Sequence, residues 1–203
     1  NAEDIVGLDF EYIAGQTPLE EDESQGLRIK TISTRWELDE FEQKNIEDCV
    51  QWIQGRTLKV EHVFSDVFIK EVHQRMYSGV WSWAGKYRLS DKNLGIDKWQ
   101  IQQAKRSLCD DAQFWIKEES YAKDEVAIRF KHAIVSIHCF PNGNGRHSRL
   151  IADIINENIF GNEPFTLGSL QINEDSDVRK EYLNALKQAD RGNIKALLDF
   201  ARS

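Results

Sequence analysis

Apolar residues recur every three to four positions along most of this 203-residue chain, which is the spacing of one face of an α-helix. In one stretch, for example, Val126, Phe130, Ile134 and Ile137 share a face. Only three prolines and twelve glycines interrupt the chain, mostly between such stretches. The pattern predicts a mostly α fold, with a helix of about five turns from Thr34 and further helices over 63–77, 98–119, 124–137, 149–158, 178–190 and from 194 onwards.

Two segments lack this periodicity. Residues 1–30 contain glycine, proline and an acidic run, so we expect an extended N-terminal arm that packs on a single domain formed by residues 31–203. Residues 81–97 contain two glycines, and residues 86–89 alternate as a strand does. We therefore expect a small β-hairpin here, which we call the flap.

Charge and cysteine content restrict the class of function. A net charge of −8 argues against nucleic acid as the main partner. Cys49, Cys109 and Cys139 form no CxxC pair, so neither a disulfide framework nor a zinc site is indicated. No stretch approaches the ~18 apolar residues of a membrane span, and the chain starts without a signal-peptide pattern. We expect a cytoplasmic protein with no membrane partner.

Two glutamates in the first long helix have different surroundings. Thr34 to Glu37 has the S/T-x-x-E form of a capping box, which assigns Glu37 to the helix start. Glu42 lies four residues after Leu38 and four before Ile46, within the apolar stripe. A carboxylate in that stripe is costly unless it pairs with a cation. Glu42 is therefore either paired or turned towards solvent.

Residues 138–149 have the sequence His-Cys-Phe-Pro-Asn-Gly-Asn-Gly-Arg-His-Ser-Arg and join two apolar helices. Gly143 and Gly145 allow a ligand to approach the backbone closely. A helix begins just after them, so its free N–H groups and the positive end of its dipole can face an anion. Arg146 and Arg149 can each offer a fork of donors to phosphate oxygens. The loop is suited to binding a polyphosphate.

His138 is the side chain of this loop whose ordinary pKa suits proton transfer near neutrality. Taken singly, it could be a core histidine, and the glycines and arginines could form a plain turn and a solvated helix start. The other histidines have no metal-ligand spacing. We expect His147 on a helix surface and His62, His73 and His132 in structural or surface positions.

Together the loop residues resemble the motif of the Fic/Doc family, His-x-Phe-x-Asp/Glu-Gly-Asn-Gly-Arg-x-x-Arg, at every fixed position except Asn142. Three further segments are similar to the family's flap, to the helix before its catalytic loop and to its closing helix: 83–88, 131–137 and 179–190. Residues 15–19 and 37–46 look further like the subgroup called mobile mystery protein B. The resemblance implies a Fic-type helical bundle with the flap beside the catalytic loop.

The resemblance also implies an activity: transfer of AMP from ATP to a serine, threonine or tyrosine hydroxyl of a target protein. By similarity, His138 takes the proton of that hydroxyl, Arg146 stabilises charge on the leaving pyrophosphate and Arg149 holds the γ-phosphate. The α- and β-phosphates would be bound by three residues at the helix start: Gly143, Asn144 and Gly145. The target segment would pair in a strand-like manner with three flap residues: Leu94, Gly95 and Ile96.

Asn142 stands where the family has an acidic ligand for Mg²⁺. Its amide oxygen could still contact Mg²⁺ or Mn²⁺ but brings no charge, so metal binding should depend more on the nucleotide's phosphates. Many family members also carry an inhibitory glutamate on a helix beside the core. We hypothesise that Glu42 is this residue and pairs with Arg149. Glu37, four residues after Ser33, is the alternative.

Two other functions remain open. One is a Fic-like enzyme that uses another nucleotide donor or removes AMP. Gly145 favours nucleotidyl transfer, because the family's kinase branch has lysine at this place. The other is a non-catalytic module that binds a nucleotide and has lost its metal ligand at Asn142. The intact His138 argues against this module, since a pure binder needs no base.

Overall fold

The computed structural model describes residues 20–166 and 177–203, which are mostly helical. A 3₁₀ turn, Lys98–Gln100, leads into the helix Ile101–Lys117, and a π-helical segment, Ile155–Ile159, extends the helix Asn144–Ile154. Within the described ranges, no helix combines the length and the apolar character needed to cross a membrane. The helices are, in chain order, α1 (Glu21–Ser24), α2 (Arg35–Ile53), α3 (Val60–Val63), α4 (Asp66–Tyr77), α5 (Ile101–Lys117), α6 (Lys123–Ile137), α7 (Asn144–Ile154), α8 (Asp177–Asp190) and α9 (Lys195–Ala201).

Helix α6 is the centre of the bundle. It packs against α5, α7 and α9, while α2 packs on α4 and α4 reaches α7. Phe130 and Ile134 of α6 are almost completely buried, and burial of such side chains contributes about 1.5–3 kcal/mol each. Lys131 is buried as well and donates a hydrogen bond to the hydroxyl of Tyr182 on α8 (2.8 Å). Helix α6, whose C-terminal end leads into residues 138–149, is therefore anchored in the core.

The capping box at the start of α2 is confirmed. The Thr34 hydroxyl accepts the N–H of Glu37 (3.2 Å), and Oε2 of Glu37 accepts the N–H groups of Ser33 (2.8 Å) and Thr34 (3.0 Å). These bonds, led by the one from Ser33, lower the pKa of Glu37. Its carboxylate thus belongs to the helix start, and the box sets where α2 begins.

The predicted hairpin in the flap is not formed. The described residues contain no strand, only one isolated bridge, between Leu27 and Trp81. Two N–H groups of the flap bond outside it instead: Arg88 N–H donates to the Cys139 carbonyl (3.0 Å) and Ile96 N–H to the Ile137 carbonyl (3.4 Å). Because those donors dock on the end of α6, the flap is an irregular loop.

Helix α7 begins five residues earlier than predicted, at Asn144 rather than Arg149. Glycine and asparagine are weak helix formers, so the low helix propensity of Asn144 and Gly145 predicted that they belong to the loop. Gly143 acts as the N-cap with φ +76°, and the helix continues directly from it. Both arginines of the loop therefore lie on the helix itself. The segment 15–19, one basis of the subgroup resemblance, lies outside the described residues, as does most of the predicted arm.

Candidate active site

Helix α6 ends at Ile137, and the chain reverses at His138, which has left-handed backbone angles (φ +56°, ψ +62°). Few residues with a side chain adopt this conformation. His138 is 6% exposed. Its burial, together with the positive charges of Arg88 and Lys92, lowers its pKa to about 4. The imidazole is therefore neutral at pH 7 and can accept a proton.

The flap lies directly on this histidine. Gly95 has φ +97°, and a Cβ there would lie 2.5 Å from the Cβ of His138 and 3.0 Å from the carbonyl oxygen of Ile137. Only glycine permits so close an approach. Leu94 is 45% exposed, whereas Ile96 is half-buried and uses its carbonyl to accept a bond from Arg88. The structure thus brings Gly95 and Ile96 beside His138, and Leu94 precedes Gly95 in the chain.

The start of α7 has the features of a helix end that can bind an anion. Gly143 packs on the ring of Tyr77, where a Cβ would come within 2.5 Å, and as N-cap it has no side chain to occupy the first N–H groups. Around Gly145, by contrast, a Cβ would meet no described atom within 4 Å beyond its chain neighbours and the backbone of its own helix. The first turn of α7 therefore combines N–H groups that have no partner within the helix, the positive dipole end and open space beside Gly145.

Asn144 closes the loop. Its side chain is buried, with Oδ1 accepting the Phe140 N–H (3.0 Å) and Nδ2 donating to the Phe140 carbonyl (2.8 Å). Both polar ends of the amide are engaged by the same residue four positions earlier. Its contribution to phosphate binding would therefore come from its backbone N–H.

Two histidines, His73 and His147, lie behind the loop. Nδ1 of His73 accepts the N–H of Gly85 (2.9 Å), so Nε2 carries the proton and donates to the Asn142 carbonyl (3.0 Å). This ring therefore ties the flap to the loop. His147 is buried, not on the helix surface as predicted, and its Nε2 lies 3.0 Å from the Ile69 carbonyl.

Burial lowers the pKa of both rings, of His147 to about 4 and of His73 well below its ordinary value. A sequence signal for both positions existed. Ile151 follows His147 by four residues, and Ile69 precedes His73 by four, so each histidine shares a face with a buried apolar residue.

Glu42 is buried and paired, but with Arg146 rather than Arg149. One oxygen, Oε1, accepts the indole N–H of Trp81 (2.6 Å), and the other, Oε2, lies 2.6 Å from Nη2 of Arg146. Oε2 accepts no well-aligned hydrogen bond from the described residues, so the contact with Arg146 is an ion pair without a directed N–H. Trp81 anchors the carboxylate beside the first turn of α7. Glu42 therefore contacts Arg146, which lies about 4.5 Å closer to the start of the helix than Arg149 does.

Arg149 has a different environment. Its guanidinium forms no ion pair with any carboxylate in the described part of the chain, and burial lowers its pKa. Its charge is thus less compensated than that of Arg146, which also lies over the ring of Tyr77 (5.2 Å to the centroid). An anion at the start of α7 would find Arg149 available and Arg146 engaged.

The residues present do not fit a metal ion held by the protein. Oδ1 of Asn142 accepts the N–H of Gly143 (2.6 Å), which keeps this amide oxygen within the turn. Across residues 20–166 and 177–203, no three His, Cys, Asp or Glu side chains form a group that could bind a metal. The hard, charged oxygen ligand that Mg²⁺ or Mn²⁺ prefers is missing at this position.

Residues 63–155 match the model of the Fic/DOC family. No curated protein matches the chain significantly. Among solved structures, the chain is similar to Fic-1 of Caenorhabditis elegans, with a TM-score of 0.63, 21% identity and coverage of 78% of this chain but 46% of that one. The chain thus spans less than half of that relative.

Two Bartonella structures are covered over most of their length. The N-terminal Fic domain of a Bep effector from Bartonella quintana has a TM-score of 0.68, 15% identity and coverage of 86% of this chain and 84% of that one. BepC of Bartonella tribocorum, solved with bound AMPPNP, has a TM-score of 0.67, 15% identity and coverage of 90% and 97%. These likenesses define the fold: the described residues form a Fic-type helical bundle. The segment matched by the family model, 63–155, includes the flap and all of residues 138–149.

Proposed function

We propose that this protein is a Fic-type adenylyltransferase that moves AMP from ATP to a serine, threonine or tyrosine hydroxyl of a target protein. The observation that carries the proposal is one loop, between α6 and α7, that holds a buried neutral His138 beside an anion-binding helix start with Arg149. The nucleotides bound in relatives support an adenine donor: AMPPNP in BepC and ADP in a second Bep structure from Bartonella quintana.

The proposed step uses His138 as general base. Its neutral imidazole takes the proton of the target hydroxyl as that oxygen attacks the α-phosphorus of ATP. The new oxygen–phosphorus bond forms, the bond from the α-phosphorus to the bridging oxygen breaks, and pyrophosphate leaves. The first turn of α7 and the two arginines would stabilise the phosphates by position and charge. No metal-mediated step is part of the proposal, because Asn142 offers no carboxylate.

We further propose that Glu42 keeps the enzyme autoinhibited. In the described conformation its carboxylate neutralises Arg146 and is anchored by Trp81. ATP would need this guanidinium for its phosphates, so nucleotide and Glu42 would compete for one cation. The cap formed by Glu37 accounts for that residue without a regulatory role.

The target segment would dock on the flap through Leu94 and Gly95. Ile96 contributes less to strand-like pairing, because its N–H and its carbonyl already bond to Ile137 and Arg88. The exposed side chain of Leu94 offers an apolar contact beside the base. The subgroup assignment to mobile mystery protein B and a cytoplasmic setting, suited to the three free cysteines, belong to the same proposal.

The deciding experiment offers α-labelled ATP, GTP, UTP or CTP to the protein and to its Glu42→Gly variant, with Mg²⁺, Mn²⁺ or chelator. We expect label on the protein itself or on a lysate protein, from ATP, more strongly in Glu42→Gly, and none in His138→Ala although that variant still binds ATP. Label from γ-labelled ATP instead would indicate phosphoryl transfer. Nucleotide binding without any label in Glu42→Gly would favour the non-catalytic module and contradict the proposal.

A further inference from the structure

Arg88 is a buried cation that joins the flap to the catalytic loop. The residue is 2% exposed. Its Nε donates to the His138 carbonyl (2.6 Å), its Nη1 to the Ser90 carbonyl (2.8 Å), and its Nη2 to the Ile96 carbonyl. Three backbone carbonyls, two in the flap and one at the proposed base, thus accept hydrogen bonds from a single guanidinium.

A buried guanidinium is costly, and here a carboxylate compensates it only weakly. The one ion pair of Arg88 within the described residues is with Asp91 at 3.4 Å, whose side chain is 56% exposed. The hydrogen bonds to carbonyls therefore supply most of the compensation. An apolar side chain could fill the same volume but could not link these three segments.

The bond to His138 falls at a strained point of the chain. His138 adopts left-handed backbone angles without the freedom of glycine, and such a conformation persists only where the surroundings hold it. Arg88 holds its carbonyl from one side, and Gly95 packs on its Cβ from the other. Since the carbonyl and the imidazole belong to one residue, fixing the former orients the latter.

We propose that Arg88 is a positioning residue: its guanidinium fastens the flap to the carbonyl of His138 and so fixes the imidazole where the target hydroxyl would arrive. The inference rests on the proposed function for its catalytic meaning. The same contact holds flap and base as one unit, so a target bound along Leu94 and Gly95 would be placed in register with His138.

The test compares Arg88→Gln, which removes the charge, and Arg88→Lys, which keeps the charge but not the fork, with the control Lys86→Gln. Lys86 is an exposed flap residue, and its replacement changes the net charge equally. The first readout is the pKa of His138 from an NMR titration of the imidazole signals, assigned with His138→Asn. Other charged groups around this ring are Lys92, itself paired with Glu23, and Asp91 beside Arg88.

In Arg88→Gln the pKa of His138 should rise by about one unit, because a nearby positive charge is lost. In Arg88→Lys it should stay low, and in Lys86→Gln it should not change. The second readout is AMP transfer, which should fall about 100-fold in both Arg88 variants and remain at the wild-type rate in Lys86→Gln. An unchanged His138 titration in Arg88→Gln, or wild-type transfer in either Arg88 variant, would overturn the proposal.

An inactive wild type and Arg88 variants that fail to fold lead to different conclusions. If the wild type transfers nothing from any nucleotide, the proposed function fails, and the titration alone decides on Arg88. If the Arg88 variants do not fold, the wild type still provides a test. Its Arg88 Nε–H should exchange slowly with solvent and shift as His138 titrates; exchange as fast as at the exposed Arg106 would overturn the inference.

Discussion

Acid should destabilise this protein through its buried histidines. His73, His138 and His147 are all buried and neutral in the folded state, with the pKa of His138 and of His147 lowered from 6.5 to about 4 and that of His73 lowered well below 6.5. Between these values the unfolded chain binds a proton at each position and the folded chain does not. The free energy of unfolding must then fall as the pH falls, by about 1.4 kcal/mol per pH unit for each such proton.

The size of this loss in unfolding free energy follows from the pKa shifts. Lowering the pKa from 6.5 to about 4 corresponds to about 3 kcal/mol for each of His138 and His147. Asp153 opposes the destabilisation by the histidines, because burial raises its pKa to about 6. The folded chain therefore binds this proton at a higher pH than the unfolded chain and is stabilised by about 3 kcal/mol on acidification. The net loss between pH 6.5 and 4 is about 3 kcal/mol, and His73 adds to it. A domain of ordinary stability has only about 5–15 kcal/mol.

The assay is urea unfolding at half-unit pH steps from 8 to 4, with the midpoint and slope fitted at each pH. His147→Asn should reduce the proton uptake on unfolding by about one between pH 6 and 4.5, whatever its effect on stability at pH 7. His62→Asn, which removes an exposed imidazole of α3, is the matched control for the substitution itself. A flat profile between pH 6.5 and 4.5, or equal profiles for wild type and His147→Asn, would refute the reasoning.

Three further predictions concern the site and its support. Glu42→Gln should raise AMP transfer while lowering the free energy of unfolding by about 3 kcal/mol, because Arg146 loses its buried partner; labelled transfer and urea unfolding measure the two effects, and unchanged transfer would contradict autoinhibition. Glu37→Ala should cost about 0.5–2 kcal/mol in the same unfolding assay through the lost cap, with no gain in transfer. Asn142→Asp should lower the Mg²⁺ concentration for half-maximal transfer, and an identical metal titration would show that this position does not set the requirement.

The helices could be predicted because their signals are local. The capping box at Thr34 and the apolar stripe of α6 each involve neighbours within four residues, and both were confirmed. The irregular form of the flap could not be predicted from the sequence. Whether its N–H groups bond to carbonyls of the flap itself or to the carbonyl of Cys139 depends on where α6 ends in space. Alternation of polar and apolar residues does not encode that choice.

In the candidate site, too, some features could be predicted from the sequence and others depend on the tertiary structure. The loop of residues 138–149 followed from residue chemistry, and spacing placed Glu42 within the apolar stripe of α2 but left open whether it is paired or turned towards solvent. The partner of Glu42 did not, because choosing between Arg146 and Arg149 requires the position of α2 along α7, which the indole of Trp81 helps to set. The role of Arg88 was equally hidden, since its three acceptors are backbone carbonyls that any residue could supply.

Because of the hydrogen bond from Trp81 to Glu42, the state of the site can be followed by tryptophan fluorescence. Indole emission responds to charge beside the ring, and the Glu42 carboxylate lies 2.6 Å from the Trp81 nitrogen. When the carboxylate leaves, the emission of this tryptophan must change, although five others contribute background. The difference between wild type and Trp81→Phe isolates its signal. Movement of Glu42 on addition of nucleotide could therefore be timed by stopped-flow fluorescence, without a label and before any product forms.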